Sequence, residues 1–309
     1  MDKDIYSELA LVLGKEQIKI NEPMSMYTSF KVGGKADFLV EPNTAKEVAD
    51  VVSLCKKQQI PYYVIGNGSN LLVGDKGYRG VIIHISTKLS SIFIEKKKES
   101  NSYTVTAESG ILLSKLSHEI AMNELTGFEF AAGIPGSLGG AITMNAGAYD
   151  GQMKDCVIGA TVIDEQGDIV YLNKEQLLFG YRMSAIQKRG LIVLSATFEL
   201  VKGDKDTIFN KINDLNSRRK GKQPLEYPSA GSAFKRPTGY YAGKLIMDSG
   251  LRGFRIGDIM VSTKHCGFIV NVGQGTAKDV RRVIEHVIHT VDDKFGVILE
   301  PEIRFLGEF

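Results

Sequence analysis

Residues 126–149 read TGFEFAAGIPGSLGGAITMNAGAY, and six of them are glycine: Gly127, Gly133, Gly136, Gly139, Gly140 and Gly147. The residues between are mainly small or apolar, with no Lys or Arg and a single carboxylate, Glu129. Surface loops are usually more polar than this. Glycine adopts backbone angles that other residues avoid and lets a backbone approach a ligand closely. Successive N–H groups in such a turn can form an anion-binding nest. The stretch reads in one of two ways. It is a wall that holds a phosphate-bearing cofactor through main-chain donors, or it is a tight glycine turn in a well-packed core.

A second glycine loop favours the cofactor. Residues 65–70 read IGNGSN and follow the apolar run Tyr62-Tyr63-Val64-Ile65, which has the look of a strand. Gly66 and Gly68 fit the start of a dinucleotide fingerprint, but Leu71 stands where its third glycine belongs. Neither stretch contains G-x-x-x-x-G-K-[ST], so a triphosphatase P-loop is unsupported. Two glycine loops of this non-Rossmann kind suggest a pyrophosphate held from two sides.

Together, IGNGSNLLVGDKGYRGVII and GFEFAAGIPGSLGGAITMNAGAY resemble the flavin-binding signatures of the UDP-N-acetylenolpyruvoylglucosamine reductase family. That family is part of a flavoprotein superfamily related to vanillyl-alcohol oxidase. The resemblance runs from YTSFKVGGKADFLVEP at 27–42 to LEPEIRFLG at 299–307, nearly the whole chain, and the chain looks like the shorter type of the family. It implies non-covalent FAD. Carried over residue by residue, Gly66, Asn67, Gly68, Ser69 and Asn70 of the first loop would hold it. From the second loop would come Gly133, Pro135, Gly136 and Gly139, then Gly140, Asn145, Ala146 and Gly147.

Composition is compatible with this and excludes little else. The 309 residues leave room for two or three compact units, and 43% hydrophobic with 24% charged residues is ordinary for a globular protein. A formal charge of +2 makes no global case for nucleic acid. Cys55, Cys156 and Cys266 are odd in number, far apart and without zinc-type spacing, so buried reduced thiols are expected. The N-terminal residues MDKDIYSELALVLGKEQ are amphipathic rather than a basic-then-apolar leader, and no run approaches a membrane span. A cytoplasmic enzyme, with no membrane insertion and monomeric, is expected.

In chain order, a short helix is expected at 5–15. Thr44-Ala45-Lys46-Glu47 is a capping box, followed by Val48, Val51, Val52 and Cys55 at helical spacing until Pro61. The strand and first glycine loop complete a small α/β unit. Strands are expected at 81–85 and 103–107, with a solvated lysine-rich turn at 95–101 between them and an amphipathic helix over 112–120. Residues 157–163 and 169–172 flank DEQGD as a hairpin, and 191–200 is a further strand. Helices over 207–219, 241–249 and 277–292 and strands at 267–272 and 302–306 make a last unit. The expected class is α+β, a two-part FAD-binding α/β domain followed by a smaller α+β substrate-binding domain. The expected boundaries are 1–85, 86–200 and 201–309.

Three residues are candidates for chemistry. Ser232, in PSAGSAFKRP, has small neighbours that leave its hydroxyl accessible. It lacks the G-x-S-x-G context and a histidine partner close in sequence, so hydrolysis is a poor reading. By itself it is a turn serine as readily as a proton donor; the resemblance makes it the general acid. Arg182, in FGYRMS, is by itself a surface arginine beside aromatics. In the related family the arginine of Y-R-x-S faces the substrate, where a guanidinium fork suits a carboxylate. Glu302, in EPEIR, matches a catalytic glutamate of the family, with Glu300 the near competitor. Among the basic residues of NSRRKGKQP, Lys222 matches a substrate contact; Lys235 and Arg236, after Phe234, complete the candidate set. Some relatives have asparagine where Arg236 stands. His265 and Gln274 are expected to be structural.

The resemblance implies the reaction: NADPH reduces FAD, a hydride passes to C3 of an enolpyruvyl ether on UDP-N-acetylglucosamine, and Ser232 protonates C2. Arg182 and Glu302 would stabilise the enolate-like charge, and NADPH and the UDP-sugar would use the site in turn, giving ping-pong kinetics. Two alternatives remain: a related flavin oxidase with another alcohol substrate, and a flavoprotein that binds a sugar nucleotide without turnover.

Overall fold

The computed structural model describes residues 2–98, 100–149 and 151–309; Glu99, in the lysine-rich turn, lies outside the described residues. The chain divides into two compact units. One comprises residues 1–19, 39–67 and 81–218, the other 20–38, 68–80 and 219–309.

The first unit contains two layers of sequence logic. The helix Ala45–Lys57 buries Val48, Val51, Val52 and Cys55 on one face, as their spacing requires. Thr44 Oγ1 caps it by accepting from Glu47 N–H at 3.1 Å. The reciprocal half of the expected capping box differs. The Glu47 carboxylate reaches past Thr44 to the Asn43 N–H and the Gln17 amide, both at 2.7 Å. Tyr62–Ile65 then lies parallel to residues 81–84, with Ile65 opposite His84. The first glycine loop leaves from the carboxyl end of that strand, where open α/β sheets receive ligands.

The rest of this unit is an antiparallel sheet. Its order is Ile169–Asn173, Val157–Ile163, Ile192–Lys202, Ser102–Glu108, Ile92–Lys96, with Leu125–Thr126 paired to the end of Ile192–Lys202. The DEQGD hairpin is present, and Ile163 faces Ile169 across it. Lys56 and Arg189 hold that turn through the backbone and carboxylate of Glu165. Period-two alternation along Ser102–Glu108 buries Val105 and Ala107 in the core that also takes Leu116 and Ile120 of the helix Leu113–Met122. Phe128, from the glycine stretch, packs edge-on to Phe198 with centroids 5.1 Å apart. Full burial of such side chains contributes about 1.5–3 kcal/mol each.

The second unit has its own core. Its sheet runs Ser229–Ser232, Phe268–Asn271, Ile259–Val261, Arg255–Ile256, antiparallel throughout. The helix Ala277–Phe295 lays Val280, Val283, Ile284, Val287 and Val291 into that core. Thr276 caps this helix, and Asp75 adds a second cap, accepting from the N–H groups of Ala277 at 2.8 Å and Lys278 at 2.9 Å. Gly296 ends it at φ 64°. Arg304–Leu306 pairs in parallel with Leu71–Val73. Glu302, expected at the start of this terminal strand, sits two residues before it, because the segment first pairs elsewhere.

Candidate active site

The long glycine stretch is neither a plain loop nor a series of left-handed turns. It contains a short 3-10 turn at Glu129–Ala131 and a six-residue helix, Leu138–Thr143. Gly127 is the glycine of the stretch with a positive φ, 107°. That turn is built by Glu129, 3% exposed, which accepts from the Thr126 hydroxyl at 2.6 Å and from the Gly127 N–H. Lys211 of the helix Lys205–Lys222 pairs with the same carboxylate at 3.1 Å. Burial alone would raise this carboxyl, but the hydrogen bonds from Thr126, the backbone and Lys211 outweigh it and hold it below the usual range.

Elsewhere in the stretch glycine is required for space. A Cβ on Gly139 would lie 3.0 Å from the Cβ of Ser109, and one on Gly147 2.8 Å from that of Gln152. The Leu138 and Gly139 N–H groups donate to the carbonyls of Ile111 and Ser109, which docks the helix on the turn after Ser102–Glu108. The two glycine loops meet here. A Cβ on Gly66 would fall 2.0 Å from Ser137 Oγ. Ser109 Oγ, in a residue 1% exposed, has no hydrogen-bond partner among the described residues. Two close backbone approaches beside serine hydroxyls, one of them unsatisfied, fit a cofactor rich in phosphate oxygens. Ser109 and Ser137 carry only a slight signal in the sequence, a serine beside a glycine in each of ESGILL and PGSLGG.

Gly68 and Asn70 belong to the second unit. Gly68 is at φ 58°, and a Cβ there would lie 1.9 Å from the Tyr27 carbonyl. The Asn70 amide donates to the Glu302 carbonyl at 3.0 Å, and Arg304 N–H returns a bond to the Asn70 carbonyl at 3.0 Å. Asn145, also expected at the cofactor, uses both amide hydrogens within the protein. They go to Gly180 O at 2.8 Å and Gln152 Oε1 at 3.0 Å, while its oxygen accepts from Lys154 N–H. These side-chain bonds shape the loop.

Asn145 thereby joins the glycine stretch to Arg182. Residues 180–183 form a tight turn closed by Gly180 N–H on the Met183 carbonyl at 2.9 Å. Arg182 occupies it at φ 52°, a conformation that costs a non-glycine residue of order 1 kcal/mol or more. Its guanidinium donates to the Gly147 carbonyl at 3.2 Å, and Ser184 Oγ donates to the Thr143 carbonyl at 2.7 Å. Three bonds therefore stitch the arginine turn to the end of the glycine helix. Tyr149, next along, donates to the Leu215 carbonyl at 2.9 Å.

In the second unit the structure brings the Ser232 segment and the Glu302 segment together. Ser232 ends the strand Ser229–Ser232, where a turn serine had been the plain alternative. Ala233 N–H donates to Gly267 O at 2.8 Å, and Ala233 O accepts from Glu302 N–H at 2.9 Å. Phe234 bridges to Pro301, and Lys235 N–H donates to Glu300 O. The Lys235 ammonium pairs with the Glu300 carboxylate, so the competitor to Glu302 already neutralises a cation. Arg236 lies over the Tyr241 ring at 4.0 Å and donates to Tyr240 O. Lys222 is exposed at the last position of the helix Lys205–Lys222. Gln274 is exposed and caps Asp258 through its N–H. His265 is half-buried, and burial lowers its pKa. The three thiols are buried and free, with Cys55 and Cys156 pushed up to about 12 by burial.

Comparison with known proteins matches this arrangement. Residues 36–173 match the profile described as FAD binding domain. Residues 223–306 match that of the UDP-N-acetylenolpyruvoylglucosamine reductase C-terminal domain. The chain is 52% identical over 308 residues to the UDP-N-acetylenolpyruvoylglucosamine reductase of Lachnoclostridium phytofermentans, covering 100% of this chain and 99% of that one. It is 53% identical to the enzyme of that name from Clostridium novyi, covering 99% and 97%. The crystal structure of the enzyme from Thermus caldophilus is similar with a TM-score of 0.77 at 35% identity, covering 94% of this chain and 98% of that one.

Proposed function

The chain belongs to the UDP-N-acetylenolpyruvoylglucosamine reductase family, and we propose how its own residues carry out that family's reaction. It is an FAD-dependent, NADPH-using oxidoreductase that reduces the enolpyruvyl group of UDP-N-acetylglucosamine enolpyruvate to UDP-N-acetylmuramate, in peptidoglycan precursor synthesis. Bound FAD supplies the hydride chemistry between NADPH and C3 of the enolpyruvyl group. The loops around Gly66, Gly139 and Ser109 would hold its phosphates.

The protein residues manage charge and the proton. Hydride addition at C3 moves an electron pair toward C2 and its carboxylate. Arg182 stabilises that charge with a fork of donors that never deprotonates. Glu302 contributes only through a proton it carries or a hydrogen bond it relays, since a bare carboxylate would repel the anion. Ser232 Oγ–H gives its proton to C2, a transfer that requires positive charge around the alkoxide left behind. Lys222 and Arg236 are exposed cations suited to the substrate pyrophosphate, and Lys235 holds Glu300 away from the chemistry. Residues 1–85 and 86–200 serve as the FAD-binding parts and 201–309 as the substrate domain. The substrate is a UDP-sugar. No helix among the described residues is long and apolar enough to cross a membrane; a cytoplasmic monomer is our reading.

The observation that supports these roles most directly is the bond from Glu302 N–H to Ala233 O, which sets the glutamate segment beside the serine segment. An anaerobic absorbance titration tests the whole reading. A flavin spectrum should bleach with NADPH and recover when the enolpyruvyl UDP-sugar is added. Bleaching without recovery removes the substrate; no flavin after reconstitution with FAD removes the cofactor site.

A further inference from the structure

One histidine is built into the strand pair that carries Ser232. Ser262, 2% exposed, accepts from the N–H groups of Lys264 and His265 at 3.2 and 3.3 Å. Ser262 N–H donates to Phe268 O, and Phe268 N–H to His265 O, each at 2.9 Å. This tight turn folds the His265 ring back over its own loop, where Nδ1 accepts the Gly267 N–H at 3.1 Å. The ring also meets Phe268 edge-on at 5.1 Å. Both flanks are close to the ring: a Cβ on Gly267 would lie 2.9 Å from the ring Cε1, and one on Gly243 3.2 Å from it.

The other end of Gly267 reaches the serine. Its carbonyl accepts the Ala233 N–H at 2.8 Å, and Phe268 stands opposite Ser232 in the strand register. An imidazole accepts at Nδ1 only when that nitrogen is unprotonated, so the contact fixes both tautomer and charge. Burial of the ring works in the same direction, favouring the neutral form.

We propose that His265 is a positioning residue for Ser232: its Nδ1 pins the Gly267 N–H, so that the Gly267 carbonyl stays on Ala233 and fixes the backbone from which the Ser232 hydroxyl projects. The proposal rests on the reading of Ser232 as the proton donor to C2. Proton transfer to carbon depends on placement, and a misplacement of about 1 Å can cost roughly 100-fold.

The test follows the two half-reactions of the FAD-loaded enzyme in a stopped-flow instrument, with product formed measured by rapid quench. The variants are H265A, H265Q and H265N, with S232A as reference. Asn places an oxygen where Nδ1 stood, whereas Gln places its polar atom at the Nε2 position. H265A and H265Q should leave bleaching by NADPH within about twofold and slow product formation roughly 10–100-fold. H265N should return it to within about threefold of the parent. An H265N no better than H265Q, or equal losses in both half-reactions, would overturn the proposal, because a merely structural histidine predicts those results. If S232A does not slow product formation, the proton-donor reading itself fails. If S232A abolishes it while the His265 series stays flat, the positioning role alone is gone.

Discussion

Arg182 shows how a single residue is held in a costly backbone conformation by its surroundings. Its positive φ is maintained because Gly180 and Met183 close the turn and Asn145 and Ser184 tie it down. R182K keeps the charge but loses the planar fork, which cannot then bond Gly147 O and a carboxylate together. The expected outcome is a loss of roughly 100-fold in flavin reoxidation by the UDP-sugar, with reduction by NADPH little changed; stopped-flow absorbance separates the two. Glu129 carries a different prediction. Its folded pKa is depressed, so the unfolded chain takes up its proton first as pH falls. Its stabilisation is fully present above the unfolded carboxyl pKa and is lost as pH drops toward the folded one. E129Q should destabilise the protein by about 1–3 kcal/mol at pH 7 and flatten the decline between pH 5 and 3. Urea denaturation across that range checks it, and an unchanged slope for E129Q would count against it.

At the scale of elements, the caps were legible and the glycine helix was not. Thr44, and the hydrophobic spacing after it, predicts the helix Ala45–Lys57 because the capping hydroxyl and the helix lie within four residues of each other. Asp75 caps Ala277 and Lys278 from some 200 positions away in sequence, and no local pattern announces that. D75A should cost about 1–2 kcal/mol in stability, with D75N recovering part of it, as measured by chemical denaturation. The helix Leu138–Thr143 is not legible in the sequence, where the stretch reads as a cofactor wall or a tight turn, because its two glycines are poor helix formers. Docking of its first N–H groups on Ser109 and Ile111 overrides that propensity. Close approach also makes a prediction. G66A should lower FAD content sharply, since its Cβ would lie 2.0 Å from Ser137 Oγ. G66A combined with S137A should recover part of it, the next atom being the Ser137 Cβ at 3.3 Å. The flavin-to-protein absorbance ratio of purified variants decides; equal ratios for the single and double variants would mean the clash is not the cause.

For the whole molecule, the prediction is kinetic and thermodynamic. Alternating use of NADPH and the UDP-sugar gives parallel double-reciprocal lines, and an intersecting pattern would show a ternary complex instead. FAD that binds only the folded chain must also stabilise it, by about 2.7 kcal/mol at a hundredfold excess over Kd. A melting temperature of the apoprotein that does not respond to added FAD would contradict the cofactor site.

The sequence by itself determined most of the elements and the family, and it supplied the candidates for the chemistry. Helical and alternating apolar periods are local, so the helix Ala277–Phe295 and the hairpin around DEQGD could be read directly. The glycine loops, Ser232, Arg182 and Glu302 stand in linear motifs, so the resemblance could name them. Tertiary structure alone decided what those residues touch. Ser232 meets the Glu302 segment because Ala233 forms ladder bonds on both sides, to Gly267 and to Glu302, partners more than thirty residues away in the chain. Glu300 is set apart from Glu302 by a lysine that a sequence shows only as one of several cations. Ser109 drew no notice in the linear text, and His265 stood there only as a histidine with an expected structural role. A hydroxyl without a partner among the described residues, and a ring wedged between two glycines, exist only once distant segments have packed.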